Sequence, residues 1–159
     1  MAKKLIYLDS SVPSALFDAR NPERQEHTRC FWETLRRYDV FISTLVFDEL
    51  SCIGRAGVKR RDELLALIEG MSMYNITLDV KGLAEKYISG GIVARKHLDD
   101  MQHLACATVH GVDYVVSWNF RHMVKVHTRK MVNAINTLND YDDIEIVAPI
   151  ELDVPNLKM

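Results

Sequence analysis

The sequence has few cysteines and no long hydrophobic run. Its three cysteines, Cys30, Cys52 and Cys106, are far apart, and no two of them form a C-x-x-C pair. This excludes a zinc ribbon and a thioredoxin-type redox motif, and it favours free thiols in a reducing cytosol. No segment approaches the ~18 apolar residues of a membrane span, and the N-terminal apolar run at residues 5–8 is too short for a signal peptide. We therefore expect a cytoplasmic protein.

Several common ligand-binding motifs are also missing. The chain contains neither G-x-x-x-x-G-K-[ST] nor G-x-G-x-x-G, so a P-loop or a dinucleotide-binding turn would lack its phosphate cradle. There is no H-E-x-x-H zinc signature either. The net charge is only −2, from 20 Lys and Arg against 22 Asp and Glu. This excludes a uniformly basic nucleic-acid-binding surface but leaves room for a local basic stripe.

The composition is that of a globular protein in which strands alternate with helices. The 159 residues are 48% hydrophobic and 26% charged, which suits one domain, and we place it at residues 1–150 with a C-terminal tail at 151–159. Short apolar runs predict strands at residues 5–8, 40–43, 75–78, 113–118 and 144–147. Amphipathic segments predict helices at residues 23–38, 45–53, 59–70, 80–89, 98–110 and 123–138. The pattern indicates an α/β fold with a mostly parallel sheet between two helical layers.

Acidic side chains are expected to meet at the carboxyl edge of this sheet. Asp9 directly follows the first strand, and Glu49 lies about one turn into the helix after the second. Asp99 and Asp100 open a helix that returns to the same edge, and Asn119 follows the fourth strand. Clustered carboxylates repel one another unless a cation neutralises them, and hard oxygen ligands suit Mg²⁺ or Mn²⁺. Such an ion supports phosphoryl displacement by water.

Each acid also has a simpler interpretation. Asp9 is a good helix cap, Glu49 could face solvent, and one of Asp99 and Asp100 could only complement the helix dipole. Ser10 is expected to cap the helix that follows it. His103 lies four residues after Asp99, so we expect an ordinary i,i+4 pair between these two side chains.

Four segments resemble, in order, the acidic motifs of PIN-domain nucleases. They read LIYLDSS at residues 5–11, STLVFDEL at 43–50, LDDMQHLACA at 98–107 and DYVVSWNFRH at 113–122. The resemblance covers nearly the whole chain and extends to the VapC-like toxins of type II toxin–antitoxin modules. It implies a PIN-like sandwich, with a central parallel sheet of about five short strands.

The resemblance also implies a function and a set of site residues. It implies an Mg²⁺- or Mn²⁺-dependent endoribonuclease, in which Asp9, Glu49 and Asp100 ligate the metal. Asp100 is preferred over Asp99 because the family pattern D-x-x-H-L-A begins there. Asn119 stands where many members carry a fourth acid, so we give it an auxiliary role. A toxin of this kind has RNA as its substrate and a small antitoxin protein as its partner, and a homodimer stays open.

Two basic clusters flank the expected site in sequence. One contains Arg55, Lys59, Arg60 and Arg61, and the other begins with Arg121 and Lys125. Their position favours RNA binding along the rim of the crevice, although a solvated helix face has the same composition. Two other functions remain open. One is a degenerate PIN-like module that binds RNA or a protein without cleavage, and the other is a phosphatase with Asp9 as nucleophile.

Overall fold

The centre of the molecule is a five-stranded sheet in which every pair of neighbouring strands is parallel. The structure, a computed structural model, describes residues 2–52 and 57–153. The strands are β1 (Lys4–Leu8), β2 (Tyr38–Ser43), β3 (Ser72–Tyr74), β4 (Tyr114–Val116) and β5 (Glu145–Val147). They are arranged in the order β3-β2-β1-β4-β5. The α/β sandwich predicted from the sequence is therefore confirmed.

Helices connect the strands and cover the sheet. They are α1 (Ser11–Ala15), α2 (Pro22–Trp32), α3 (Thr44–Ser51), α4 (Val58–Ile68), α5 (Leu78–Ser89), α6 (Leu98–Val109), α7 (Val126–Leu138) and α8 (Pro149–Asp153). One group contains α1 to α4 with α8, and a second contains α5 to α7. The central strand β1 is covered on both faces, since Ile6, Tyr7 and Leu8 are fully buried. Among the described residues, no helix combines the length and apolarity needed to cross a bilayer.

Two local predictions are wrong. The third strand lies at Ser72–Tyr74, not at 75–78, because Thr77 accepts the N–H of Val80 and begins α5. The helix predicted at 23–38 ends at Trp32. Thr34 directs both its backbone N–H and its hydroxyl to the carbonyl of Phe31, and a 3₁₀ turn over Leu35–Arg37 follows.

A last helix, α8, is missing from the sequence prediction. It spans Pro149–Asp153 and crosses the predicted domain limit at residue 150. Arg129 of α7 contacts Glu151 of α8 at 3.1 Å, and Leu152 packs against the core. The short helix therefore belongs to the packed structure.

The carboxyl ends of three neighbouring strands deliver polar side chains to one place. Ser43 ends β2, Asp9 follows β1 and Ser117 follows β4. The backbone N–H of Asp9 donates to the carbonyl of Val116, which extends the pairing of β1 and β4 to this edge. Ligands of open parallel sheets bind beyond this edge, and Asp9, the first of the predicted acids, lies there.

Candidate active site

Asp9 is almost completely buried at the end of β1, with 4% of its surface exposed. One carboxylate oxygen accepts hydrogen bonds from the Ser11 backbone N–H at 3.1 Å and the Ser11 hydroxyl at 2.5 Å. The other accepts the Ser117 hydroxyl at 2.6 Å. Burial raises the pKa of Asp9, and the charge of His103 and the two hydroxyls offset this only in part. Asp9 therefore assists the start of α1 and also presents a fixed carboxylate to the site.

Glu49 lies in α3 and is bound from two sides. Its Oε1 atom accepts the Ser10 hydroxyl at 3.0 Å and faces the Nε2 atom of His103 at 2.8 Å. Burial alone would raise the pKa of Glu49, but the hydrogen bond and charge of His103 lower it overall. The prediction that the Ser10 side chain caps α1 is wrong, since α1 has no side-chain cap bond and Ser10 binds Glu49 instead.

His103 is buried on α6 and joins these groups into one network. Its Nε2 atom contacts Glu49, and its Nδ1 atom contacts the Tyr7 hydroxyl at 2.6 Å. The Tyr7 hydroxyl also contacts the Ser43 hydroxyl at 2.8 Å. The predicted i,i+4 pair with Asp99 is therefore wrong, because both ring nitrogens already have other partners.

The charge of His103 reaches all three predicted acids. Burial disfavours its protonated form, but Glu49, Asp9 and Asp100 outweigh burial and raise the pKa of His103. The same histidine acts to lower the pKa of Asp9, Glu49 and Asp100. His103 is thus the shared positive neighbour of the acidic edge, which the sequence analysis missed. The motif D-x-x-H-L-A placed it one helical turn from Asp100 but did not reveal its contacts.

Asp100 and Asp99, adjacent in the first turn of α6, have different surroundings. Asp99 is exposed, whereas Asp100 is half-buried and accepts a hydrogen bond from the Asn119 side chain. The Asn119 Oδ1 atom accepts the backbone N–H of His122 at 2.9 Å. Burial raises the pKa of Asp100 despite His103, His122 and Asn119, which lower it. Asn119 therefore reaches the predicted site and orients Asp100.

The acids fit a divalent cation in chemistry, although they do not form a tight cage. Asp9 and Asp100 both have raised pKa values because burial is not fully compensated, and a cation would supply the missing charge. Their oxygen ligands suit a hard ion. A tight cluster of possible ligands shares only Asp100 with these acids. Among the described residues, only His97, Asp100 and His122 form a group of three His, Cys, Asp or Glu side chains whose ligand atoms all lie within 4.8 Å of one another.

A cleft of about 680 Å³ opens beside the acids. Its wall includes Ser11, which hydrogen-bonds Asp9, and Asn119, which hydrogen-bonds Asp100. Three arginines, Arg20, Arg24 and Arg60, also line it. The guanidinium of Arg24 lies 5.1 Å from the ring centroid of Trp118, and that of Arg60 lies 5.0 Å from the ring of Phe17.

The predicted basic residues are placed unevenly around this cleft. Arg60 lines it, Lys59 is exposed, and Arg61 lies 3.7 Å from Asp62. Arg121 and Lys125 are exposed after Asn119. Arg55 lies outside the described residues. Arg20 and Arg24 were missed, because they stand singly in the sequence and form no basic run. They reach the cleft through the packing of α1, α2 and α4.

Comparisons with known proteins agree with this architecture. The model of the PIN domain family matches residues 6–122. No curated protein matches the sequence. Among solved structures, VapC20 from Mycobacterium tuberculosis, described as a sarcin–ricin loop cleaving toxin, is 18% identical with a TM-score of 0.60. That match covers 74% of this chain and 92% of the other.

Two toxin–antitoxin complexes share the fold. The complex from Klebsiella pneumoniae is 15% identical with a TM-score of 0.58, over 76% of this chain and 92% of the other. VapBC2 from Rickettsia felis, bound to a DNA fragment from its promoter, is 8% identical with a TM-score of 0.57, over 91% and 98%. At these identities the likeness establishes the fold. Because the family model covers most of the chain, from β1 through the loop after β4, the protein belongs to the PIN domain family.

Proposed function

We propose that this PIN-domain chain is a divalent-metal-dependent endoribonuclease that hydrolyses RNA phosphodiester bonds. The observation that carries the proposal is the meeting of Asp9, Glu49 and Asp100 around His103, at the edge of the sheet and beside an arginine-lined cleft. Asp9 is buried and the other two carboxylates are half-buried, so each costs desolvation energy that a bound cation would offset.

Asp9, Glu49 and Asp100 would hold Mg²⁺ or Mn²⁺. When bound, the ion lowers the pKa of a water molecule and neutralises charge at the scissile phosphate. Ser11 and Ser117 fix the orientation of Asp9, and His103 fixes that of Glu49. Asn119 has an auxiliary role, because its amide group donates to Asp100 while its oxygen is already bonded to the His122 N–H.

The cleft supplies contacts suited to single-stranded RNA. Arg60 donates to the Phe17 carbonyl at 3.0 Å, and its buried Nε–H has no partner among the described residues. Arg24 above Trp118 combines charge with an aromatic surface, the combination that single-strand binders use. This surface would be extended by Lys59, Arg60 and Arg61 on α4 and by Arg121 and Lys125 after β4. Arg55 belongs to the predicted cluster of Lys59, Arg60 and Arg61.

The neighbouring acids of α6 offer a matched test of the site. We expect Asp100→Asn to lower RNA cleavage by roughly 10³-fold or more, the scale seen when one member of a catalytic unit is removed. Asp99→Asn makes the same chemical change at an exposed position and should keep activity near wild type. The substrates should include a sarcin–ricin loop hairpin, because VapC20 is described as cleaving that loop. Equal activity of the two variants would contradict the assignment of Asp100.

We further propose that the enzyme is the toxin of a type II toxin–antitoxin module in the cytoplasm, with a small antitoxin protein as its partner. Support comes from the structural likeness to two toxin–antitoxin complexes. A small open reading frame directly upstream, whose product binds the chain and inhibits its ribonuclease activity, is the expected finding. A chain that no neighbouring gene product binds would contradict this assignment. A homodimer stays a proposal that the chain's mass in solution tests.

A degenerate PIN module that binds without cutting is the second candidate. Asn119 favours it, because an amide gives the site one charge fewer than an acid would. A titration with Mn²⁺ separates the two functions. The binding module would be supported if the wild type binds RNA and its Mn²⁺ binding, if any, is unchanged by Asp9→Asn.

A further inference from the structure

Two histidines and one of the acids meet at the start of α6. His97 ends a 3₁₀ turn over Arg95–His97, Asp100 lies in the first turn of α6, and His122 lies in the segment between β4 and α7. The ligand atoms of the three side chains all lie within 4.8 Å of one another. The two imidazole rings lie 3.7 Å apart, centroid to centroid, with 30° between their planes, so one ring has to turn about its Cβ–Cγ bond before both rings direct a nitrogen at the same ion. All three side chains are half-buried.

Hydrogen bonds hold both backbone segments in place independently of any ion. The backbone N–H of His97 donates to the Ala94 carbonyl at 2.9 Å. The backbone N–H of His122 donates to Asn119, and the His122 carbonyl accepts the Thr128 hydroxyl at 2.9 Å. Since Asn119 also donates to Asp100, a single amide ties the His122 backbone to the Asp100 carboxylate. The backbone that carries both histidines is therefore fixed by the fold.

The ligand set differs in chemistry from that of the three acids. Mg²⁺ prefers oxygen ligands and keeps several waters, whereas imidazole nitrogen suits Zn²⁺, Co²⁺ and related transition metals. Two histidines and one carboxylate make three protein ligands, which leaves positions open for water or a phosphate oxygen, as in catalytic zinc sites.

We infer that His97, Asp100 and His122 form a second metal site, which binds a divalent transition-metal ion of the zinc class. It shares Asp100 with the proposed Mg²⁺ or Mn²⁺ site but uses neither Asp9 nor Glu49. The site does not rest on the ribonuclease function, because none of its ligands requires RNA. Zn²⁺ should bind here in the presence of excess Mg²⁺.

Cobalt is a suitable probe, because Co²⁺ replaces Zn²⁺ and its visible absorption reports nitrogen ligands. Chelator-treated, full-length protein is titrated with CoCl₂ in buffer that contains excess Mg²⁺, and the same samples are titrated with ZnCl₂ by calorimetry. We expect one saturable Co²⁺ site per chain. His97→Ala and His122→Ala should each weaken Co²⁺ and Zn²⁺ binding by at least about tenfold, since losing a residue that only orients a ligand already costs that much.

Two variants serve as controls. His127→Ala removes an exposed histidine of α7 outside the cluster, and it should leave Co²⁺ affinity unchanged. Asp9→Asn should abolish the proposed Mg²⁺-dependent cleavage and keep Co²⁺ binding, so failure of one proposal is distinguishable from failure of the other. Far-UV circular dichroism of each variant verifies the fold, and His122→Gln provides a less disruptive second substitution.

The outcomes divide clearly. Co²⁺ binding that requires His97 and His122 and survives Asp9→Asn supports the second site. Co²⁺ binding that survives both histidine substitutions and disappears in Asp9→Asn places the ion at the acidic site and overturns the inference. Absence of Co²⁺ and Zn²⁺ binding in protein that cleaves RNA with Mg²⁺ also overturns it, while the proposed function stands.

Discussion

A single buried histidine offsets part of the negative charge of the carboxylates at the sheet edge. His103 contacts Glu49 with one ring nitrogen and Tyr7 with the other. The negative charges of Asp9 and Asp100 also raise the pKa of His103. Without a metal, this residue is the main counter-charge of the site. The stability of the metal-free chain should therefore depend on whether His103 is protonated.

This dependence predicts a fall in stability as pH rises. The pKa of His103 is raised in the folded chain above its ordinary value of 6.5, so the folded state binds its proton more tightly than the unfolded state does. The stabilisation is complete below pH 6.5 and is lost as pH rises through the folded pKa. One proton gives a slope of at most about 1.4 kcal/mol per pH unit. Urea unfolding in EDTA between pH 6.5 and 8.5 measures it.

Two variants show which residue causes the slope. His103→Gln should lose this part of the pH dependence. Tyr7→Phe keeps the contact between His103 and Glu49, so it should retain the slope while losing about 2 kcal/mol for two buried hydrogen bonds. The same slope in His103→Gln and wild type would contradict the role given to His103.

At the scale of elements, the N-terminus of α3 couples the second strand to the site. Ser43 ends β2 and caps α3, where its hydroxyl oxygen accepts the Val46 N–H at 3.4 Å. The same hydroxyl contacts Tyr7, and α3 carries Glu49. The cap therefore fixes both the helix and the network around His103.

Comparing two caps separates these roles. Thr77→Ala removes the exposed cap of α5, away from the site, and should cost about 1 kcal/mol of unfolding free energy. Ser43→Ala removes a cap and a buried hydrogen bond, so we expect about 2 kcal/mol. Denaturant unfolding of the two variants gives the difference, and equal losses would show that the Tyr7 contact contributes nothing.

The elements that the sequence predicts well are those with strong local signals. The run at residues 5–8 is apolar throughout and becomes the buried central strand, and the acids that follow such runs lie at the predicted edge. β3 has only three residues, at the margin of the sheet, and two of them are exposed. So few buried positions produce no recognisable apolar pattern in the sequence. His103 and Ser117 have partners 54 and 108 residues away, which no local pattern reveals.

At the scale of the whole molecule, a net charge of −2 is compatible with RNA binding because the charges are segregated. Residues 131–157 contain no Lys or Arg but several acids. Arg20, Arg24 and Arg60 gather instead in the cleft beside Asp9 and Asp100. The distribution predicts modest nonspecific affinity, concentrated at the site.

The cleft arginines should contribute to RNA binding more than arginines elsewhere. Arg24→Gln should weaken RNA binding and reduce its salt-dependence slope by about 0.7, the value for one phosphate contact with a single strand. Arg36→Gln serves as the control, since Arg36 is exposed just before β2, at the opposite end of that strand from the site. Fluorescence anisotropy with a labelled RNA at several salt concentrations makes the comparison, and equal slopes for both variants would count against the cleft.

The most direct measurement is RNA cleavage by the wild-type chain and Asp9→Asn, each with Mn²⁺ and with excess EDTA. The substitution preserves the size of the side chain and removes one carboxylate charge. We predict cleavage by the wild type with Mn²⁺, none in EDTA, and none by Asp9→Asn in either condition. Cleavage by the wild type that continues unchanged in EDTA, or that Asp9→Asn retains in full, would contradict a metal-dependent site at this edge of the sheet.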